Sequence, residues 1–225
     1  MQAWRNTISK TPWFLLLFTL LFIAQPARAV ENFSHFVDQY FDRIQSFEGK
    51  FNQEYYDALQ EKKVFSNGQV RYLQPGLMKW VYLQPDELEI LIGRQTIWII
   101  DPILENVTIQ PLDQVTQINA LSFLLDKTQL REHFYPIEPT KSWLDSSPGI
   151  KPLFLAPKKK SSNLVELQLG IDEKSFSIRQ FVIIDAQQNY RKVTFSQITL
   201  NPVMSAEDFE YQIPEDMEII DGINN

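Results

Sequence analysis

From Gly68 to Gln110 apolar and polar side chains alternate in short runs cut by Pro and Gly, and that pattern leaves few folds open. Val70 and Tyr72 enclose Arg71, while Met78, Trp80 and Tyr82 share a parity opposed by Lys79. Leu88, Ile90 and Ile92 alternate with Glu87 and Glu89. Successive side chains on a strand point to opposite faces, so each run is a strand with one apolar face. Gln74-Pro75-Gly76, Gln84-Pro85-Asp86 and Gly93-Arg94-Gln95 are short breaks of the kind that join antiparallel neighbours. The expectation is a meander of at least four strands with Lys79 and the Glu87/Glu89 pair facing outward. Its concave wall carries Val70, Tyr72, Met78, Trp80, Tyr82, Leu88 and Ile90. The fourth strand, Thr96 to Ile100, is apolar on both sides, which leaves its facing open. That wall is either an ordinary core or a surface that receives an apolar ligand.

What precedes the meander bears on where the chain works. Arg5 and Lys10 begin a positive segment, Phe14 to Ala24 is apolar, and Ala27-Arg28-Ala29 has the small-x-small form of a cleavage site. Residues 1–29 therefore read as a secretory signal peptide. A membrane anchor is the alternative, but the apolar run is shorter than the roughly 20 residues that span the bilayer core. Residues 30–225 then form a single domain with enough chain for a sizeable core. Cysteine is absent, which excludes disulfides, thiolate catalysis, Cys-based zinc sites and a lipidated N-terminal cysteine. The formal charge of −7 loses three positives (Arg5, Lys10, Arg28) with the leader and becomes −10. Such an acidic balance opposes binding to nucleic acid or to anionic membrane.

The clearest helix is expected over Glu31 to Phe47. Phe33, Phe36, Val37, Tyr40, Phe41, Ile44 and Phe47 recur there at steps of three and four, with Gly49 as the stop. A strand from Lys50 to Ala58 follows, with Phe51, Gln53 and Tyr55 on one face, and then a polar loop and a Ser66-Asn67-Gly68 turn. Beyond Thr116, the residues Ile118, Leu121, Phe123, Leu124 and Leu125 predict a short, very apolar helix that needs burial or covers something apolar. Tyr135 to Lys151 reads as a long loop or lid edge. Strands return at Leu153–Ala156, Leu164–Leu169, Phe176–Asp185 and Arg191–Leu200. A capped turn at Ser205–Asp208 and a last strand through Phe209, Tyr211 and Ile213 complete the chain.

Catalytic chemistry finds little support. His35 lies beside the apolar stripe of the first helix, and His133 with adjacent Glu132 lacks zinc-ligand spacing. No G-x-S-x-G, H-E-x-x-H or Gly-rich phosphate loop is present. No metal or cofactor is expected.

One ordered set of short matches nevertheless runs across most of the chain. It comprises Phe47-Glu48-Gly49-Lys50-Phe51-Asn52-Gln53, Gly68, Pro75-Gly76-Leu77-Met78-Lys79-Trp80, Pro85, Gly93, Trp98 and Asp101-Pro102. Phe209-Glu210-Tyr211-Gln212-Ile213-Pro214 closes it. This set resembles the LolA family, periplasmic carriers that ferry lipoproteins to the outer membrane. The resemblance implies an α+β, mainly antiparallel protein: a curved half-barrel sheet with short helices forming a lid over a hydrophobic concave face. Acyl chains would then lie against Phe51, Tyr55, Val70, Tyr72, Met78, Trp80, Tyr82, Leu88 and Ile90. Phe36 and Tyr40 from one lid helix, and Leu121, Phe123, Leu124 and Leu125 from another, would cover them.

The family carries an arginine before the first proline of the meander, taken to latch the lid by bonding helix backbone; this chain has Gln74. An amide has two donors and no charge where guanidinium has five donors and a permanent charge. Either the latch is weaker at Gln74, or Arg71 or Arg94 has taken it over. The implied partners are acylated lipoproteins, an inner-membrane ABC-type release complex and an outer-membrane lipoprotein receptor, met by a periplasmic monomer. That receptor carries a lipidated cysteine, so this chain corresponds to the carrier. A binding module or sensor for another acylated ligand with the same half-barrel, and a lipid hydrolase, are the alternatives.

Overall fold

The computed structural model describes residues 25–112, 127–159 and 163–222. The chain enters through α1 (Gln25–Arg43) and then builds β1 (Ser46–Asp57), β2 (Lys62–Leu73), β3 (Leu77–Gln84), β4 (Leu88–Ile92), β5 (Thr96–Asp101) and β6 (Asn106–Pro111). After a second helix, α2 (Lys127–His133), come β7 (Phe134–Pro136), β8 (Ile150–Pro157), β9 (Glu166–Asp172), β10 (Ile178–Ile184) and β11 (Tyr190–Leu200). A 3-10 turn at Ala206–Phe209 leads to β12 (Glu218–Asp221). All twelve strands join one sheet in the order β12-β6-β5-β4-β3-β2-β1-β11-β10-β9-β8-β7. Two meanders thus meet at β1, which pairs antiparallel with β2 on one side and β11 on the other. Among the described residues only β12 runs parallel to its neighbour, β6.

The sheet is lined on both faces. On its concave side Phe51, Val70, Tyr72, Met78, Trp80, Ile92 and Ile97 from the first meander meet Leu169, Phe181, Val193 and Phe195 from the second. Helix α1 lies on this cluster and buries Phe33, Phe36, Val37, Tyr40 and Phe41, five of the seven stripe residues, and Ile44 is buried just past its end. On the convex side Leu91, Ile100 and Val107 are covered by Tyr211, Ile213 and Met217 of the C-terminal segment. This settles β5: Ile97 faces the concave core while Trp98 and Ile100 face the outer cluster, so both parities are apolar because both are covered. Lys79 and Glu89 pair on the outer face, as their polarity requires.

Several boundaries differ from the sequence expectation. Helix α1 ends at Arg43, and Phe47 belongs to β1, where its ring packs on Tyr72 and Phe195 at 5.3 and 5.8 Å. The stripe continues through Phe47 in sequence because the helix and the concave face of β1 feed the same core. Gly49 is no helix stop. It lies within β1 where the register with β11 shifts, and an added Cβ would come within 3.0 Å of the Ser196 carbonyl oxygen. Gly68 is likewise inside a continuous β2, not in a turn, because a Cβ there would stand 2.0 Å from the Val81 carbonyl oxygen and 2.8 Å from the Phe51 ring. Phe209 to Pro214 forms no strand: Tyr211 and Ile213 alternate because they seat on the convex cluster, and the final strand begins at Glu218.

The segment between β7 and β8 is no lid edge. It crosses the convex face, where Trp143 and Leu144 cover Val182, Ile184 and Tyr190. Buried Gln168 fixes it there, accepting from Trp143 N at 2.8 Å and donating to the Lys141 carbonyl at 2.7 Å. The expected apolar helix with Leu121, Phe123, Leu124 and Leu125 lies outside the described residues.

Candidate functional site

The concave face carries a continuous apolar cluster with α1 closed over it and a small gap left beneath the helix. Beneath the C-terminal half of α1 a cavity of about 20 Å³ remains, room for about one water while the helix is closed. Met78 and Trp80 of β3 form one wall, Phe181 of β10 and Phe195 of β11 the other, and Tyr40 of α1 with Ile44 just past the helix end closes it from above. The indole N–H of Trp80 donates to Met78 Sδ at 2.7 Å, so this wall offers no unspent polar hydrogen there.

Of the residues expected to hold an apolar ligand, Phe51, Val70, Tyr72, Met78 and Trp80 are buried in one concave cluster. Tyr82 and Ile90 pack partly buried against it, and Leu88 is half-buried in register with Tyr82. Tyr82 turns its hydroxyl towards Gln53 Oε1 at 3.3 Å, and burial raises its pKa. Tyr55 stands apart from the hollow under α1. It lines a wider recess with Ile183, Asn189 and Arg191, where the β10–β11 turn begins. Phe36 and Tyr40 are both buried on the covering helix, their rings 5.7 Å apart.

The wall supplied by Phe181, Phe195, Ile198 and Leu200 was missing from the sequence reading. Val193 and Phe195 alternate visibly, but Ile198 and Leu200 have the opposite parity. Gln197, with φ +51°, accompanies a bulge opposite Gly49 that returns both to the concave face.

Gln74 reaches the helix. Its Nε2 donates to the carbonyls of Phe41 at 3.0 Å and Ile44 at 2.8 Å, spending both amide hydrogens on the end of α1. Its backbone N–H donates to the Gln45 carbonyl at 2.8 Å. A helix leaves its last carbonyls without intrahelical partners, so these are bonds the backbone needs. Arg71 turns instead to Glu48 at 3.5 Å and Asp208 at 4.0 Å, and Arg94 is exposed.

A second clasp, from the far side of the sheet centre, had no sequence signal. Asn201 donates through Nδ2 to the Arg43 carbonyl at 2.8 Å, and its Oδ1 accepts from Gln45 N at 2.8 Å and Ser46 N at 3.3 Å. It occupies φ +54°, a region that Asn tolerates better than most residues. At the other end of the cover, Arg131 of α2 pairs with Asp38 and bonds the Ser34 carbonyl at 3.3 Å, joining the two helices.

Among the described residues no group of three His, Cys, Asp or Glu side chains could hold a metal ion, and no helix is long and apolar enough to cross a membrane. His35 is exposed with its ring edge against Phe176 at 5.5 Å.

The comparisons with known proteins agree with this geometry. The family model described as outer membrane lipoprotein carrier protein LolA matches residues 42–212. An outer-membrane lipoprotein carrier protein of Azotobacter vinelandii is 28% identical over 207 residues, covering 92% of this chain and 96% of the relative. Its counterpart in Nitrosomonas europaea is 23% identical over 213 residues, covering 92% and 97%. Among solved structures, an uncharacterised conserved protein from Thermus thermophilus shares the fold with a TM-score of 0.53 at 13% identity, covering 84% of this chain and 99% of that one.

Proposed function

Since the chain belongs to the LolA family of outer-membrane lipoprotein carriers, we propose that it shelters lipoprotein acyl chains in the concave hollow, with α1 as the cover that yields to them. The observation that supports this most is the arrangement at the helix end. The apolar face of α1 lies on an apolar sheet, and the end of the helix is held by a few neutral hydrogen bonds.

Magnitudes favour the exchange. Three acyl chains carry on the order of 45 methylenes, so their exposure to water costs roughly 36 kcal/mol at ~0.8 kcal/mol each. Five buried side chains on α1 and Ile44 just past its end contribute roughly 9–18 kcal/mol, an upper figure because unfolded chains already hide some surface. A lipid anchor therefore has enough apolar surface to displace the helix from the sheet. The reverse cost also explains why cargo does not leave a membrane unaided, and why loading needs an energy-driven partner.

In this reading the leader (1–29) is removed, the protein works in the periplasm, and an inner-membrane ABC-type complex loads it. An outer-membrane lipoprotein receptor then takes the cargo by offering a more accessible apolar surface. Gln74 serves as the latch, retaining the bonds to helix backbone but not the charge of an arginine. The cavity residues are Phe51, Val70, Tyr72, Met78, Trp80, Tyr82, Leu88 and Ile90, with Tyr55 at the rim.

The test is direct. Incubated with inner-membrane vesicles, the release complex, ATP and a triacylated lipoprotein, the purified protein should keep that lipoprotein in the supernatant as a one-to-one complex. Cargo that stays with the vesicles at every protein concentration rejects the carrier reading.

A further inference from the structure

We propose that the Tyr40 hydroxyl is the polar anchor of the hollow, donating a hydrogen bond to an ester carbonyl of the cargo's diacylglyceryl group. The inference rests on the carrier reading and adds to it the head-group contact that fixes how deep the chains lie.

Among the described residues lining the hollow, the side-chain hydroxyls belong to Tyr40 and Ser177, each 3% exposed. Ser175 Oγ donates its one hydrogen to Asp172 Oδ1 at 3.0 Å. In the 2.8 Å contact between Ser175 Oγ and Ser177 Oγ, the hydrogen must then come from Ser177. Ser177 therefore has no proton left to give. Tyr40 Oη makes no hydrogen bond to any described residue. It is the one hydroxyl of this lining whose donor remains unspent.

Burial, with the neighbouring Tyr72 adding to it, holds the Tyr40 phenol well above its ordinary pKa, so the group is a neutral O–H donor. A donor that faces an apolar cavity with no protein acceptor favours a ligand that supplies one. Hydrocarbon tails supply none. A free carboxylate would bring an ionic charge into an apolar space. An ester carbonyl is a neutral acceptor attached to the very chains that fill the hollow. Tyr40 lies one residue before Phe41, whose carbonyl Gln74 holds, so the anchor is carried on the part of the cover that yields to the chains.

The experiment compares two probes on the full protein: a dansyl-labelled S-(2,3-dipalmitoyloxypropyl)cysteinyl peptide, and the dialkyl ether of the same chain length. The wild type should prefer the diester by about five- to tenfold, the size of one net hydrogen bond. Tyr40→Phe should bind the diether as the wild type does and the diester about five- to tenfold more weakly, erasing the preference. Without ligand, Tyr40→Phe should melt no lower than wild type, because the hydroxyl it removes was unpaired. A wild type that treats the two probes alike, or a Tyr40→Phe protein that keeps the preference, overturns the anchor while leaving the carrier reading standing. Binding of neither probe overturns both. Stronger binding of free palmitate than of the diester, lost in Tyr40→Phe, would assign the hydroxyl to a carboxylate and so overturn the ester assignment.

Discussion

Gln74 and Asn201 hold the same helix end from opposite sides, and each does so with neutral groups. Gln74 spends two amide hydrogens on the Phe41 and Ile44 carbonyls, while Asn201 donates to Arg43 and accepts from Gln45 and Ser46. Their contributions differ in redundancy. The Phe41 carbonyl also receives Gln45 Nε2 at 3.1 Å, so losing Gln74 leaves one carbonyl, that of Ile44, without its side-chain donor. Losing Asn201 leaves the Arg43 carbonyl and two backbone N–H groups without that partner. Gln74→Ala should therefore cost about 1 kcal/mol of stability and Asn201→Ala about 2–3 kcal/mol, read as shifts in urea midpoint at constant slope. Uptake of a fluorescent acyl probe should quicken about fivefold in Gln74→Ala. Gln74→Arg should slow it, because a cation at a helix C-terminus adds favourable charge to the same bonds. Uptake that ignores both Gln74 substitutions removes this residue from the latch.

At the scale of elements, the strands were legible because one face of each is wet or covered by a different segment, and alternation records that difference. β8, β9, β10 and β11 fall within a few residues of where their hydropathy places them. What alternation cannot carry is a change of phase. The bulge at Gly49 and Gln197 reverses parity within β11, which hid Ile198 and Leu200 from the site, and Gly68 reads as a turn when close packing against Val81 and Phe51 requires it inside a strand. Asn201 was invisible for another reason: its partners lie more than 150 positions away, and no local pattern marks such a contact. The covering loop between β7 and β8 shows how much an element on the convex face depends on one buried amide. Gln168→Leu would orphan Trp143 N and the Lys141 carbonyl, which should lower stability by about 2–4 kcal/mol. Acyl-probe affinity, measured below the melting transition, should stay unchanged because that amide faces away from the hollow. Affinity lost in proportion to stability would mean that the two faces are coupled.

For the molecule as a whole, the sheet acts as a partition, and the tryptophans report on it independently. Trp80 is 3% exposed in the concave cluster, its ring 4.7 Å from Phe51 and 5.9 Å from Phe195. Trp98 belongs to the convex cluster with Tyr211 and Ile213. Trp143 lies on the same outer side, 4.3 Å from Tyr190, with Lys141 over its ring at 3.5 Å. Trp4 and Trp13 belong to the proposed leader, so the exported protein would retain one indole inside the hollow and two behind its wall. A lipoprotein anchor brominated along its acyl chains quenches only an indole it touches. Loading it into the exported Trp98→Phe/Trp143→Phe protein should therefore extinguish most of the emission. The same cargo in Trp80→Phe should leave most of it, because an apolar wall one strand thick separates the bromines from both remaining rings. Equal quenching in the two proteins would place the acyl chains on both faces of the sheet, and α1 would then cover a core and not a cargo site.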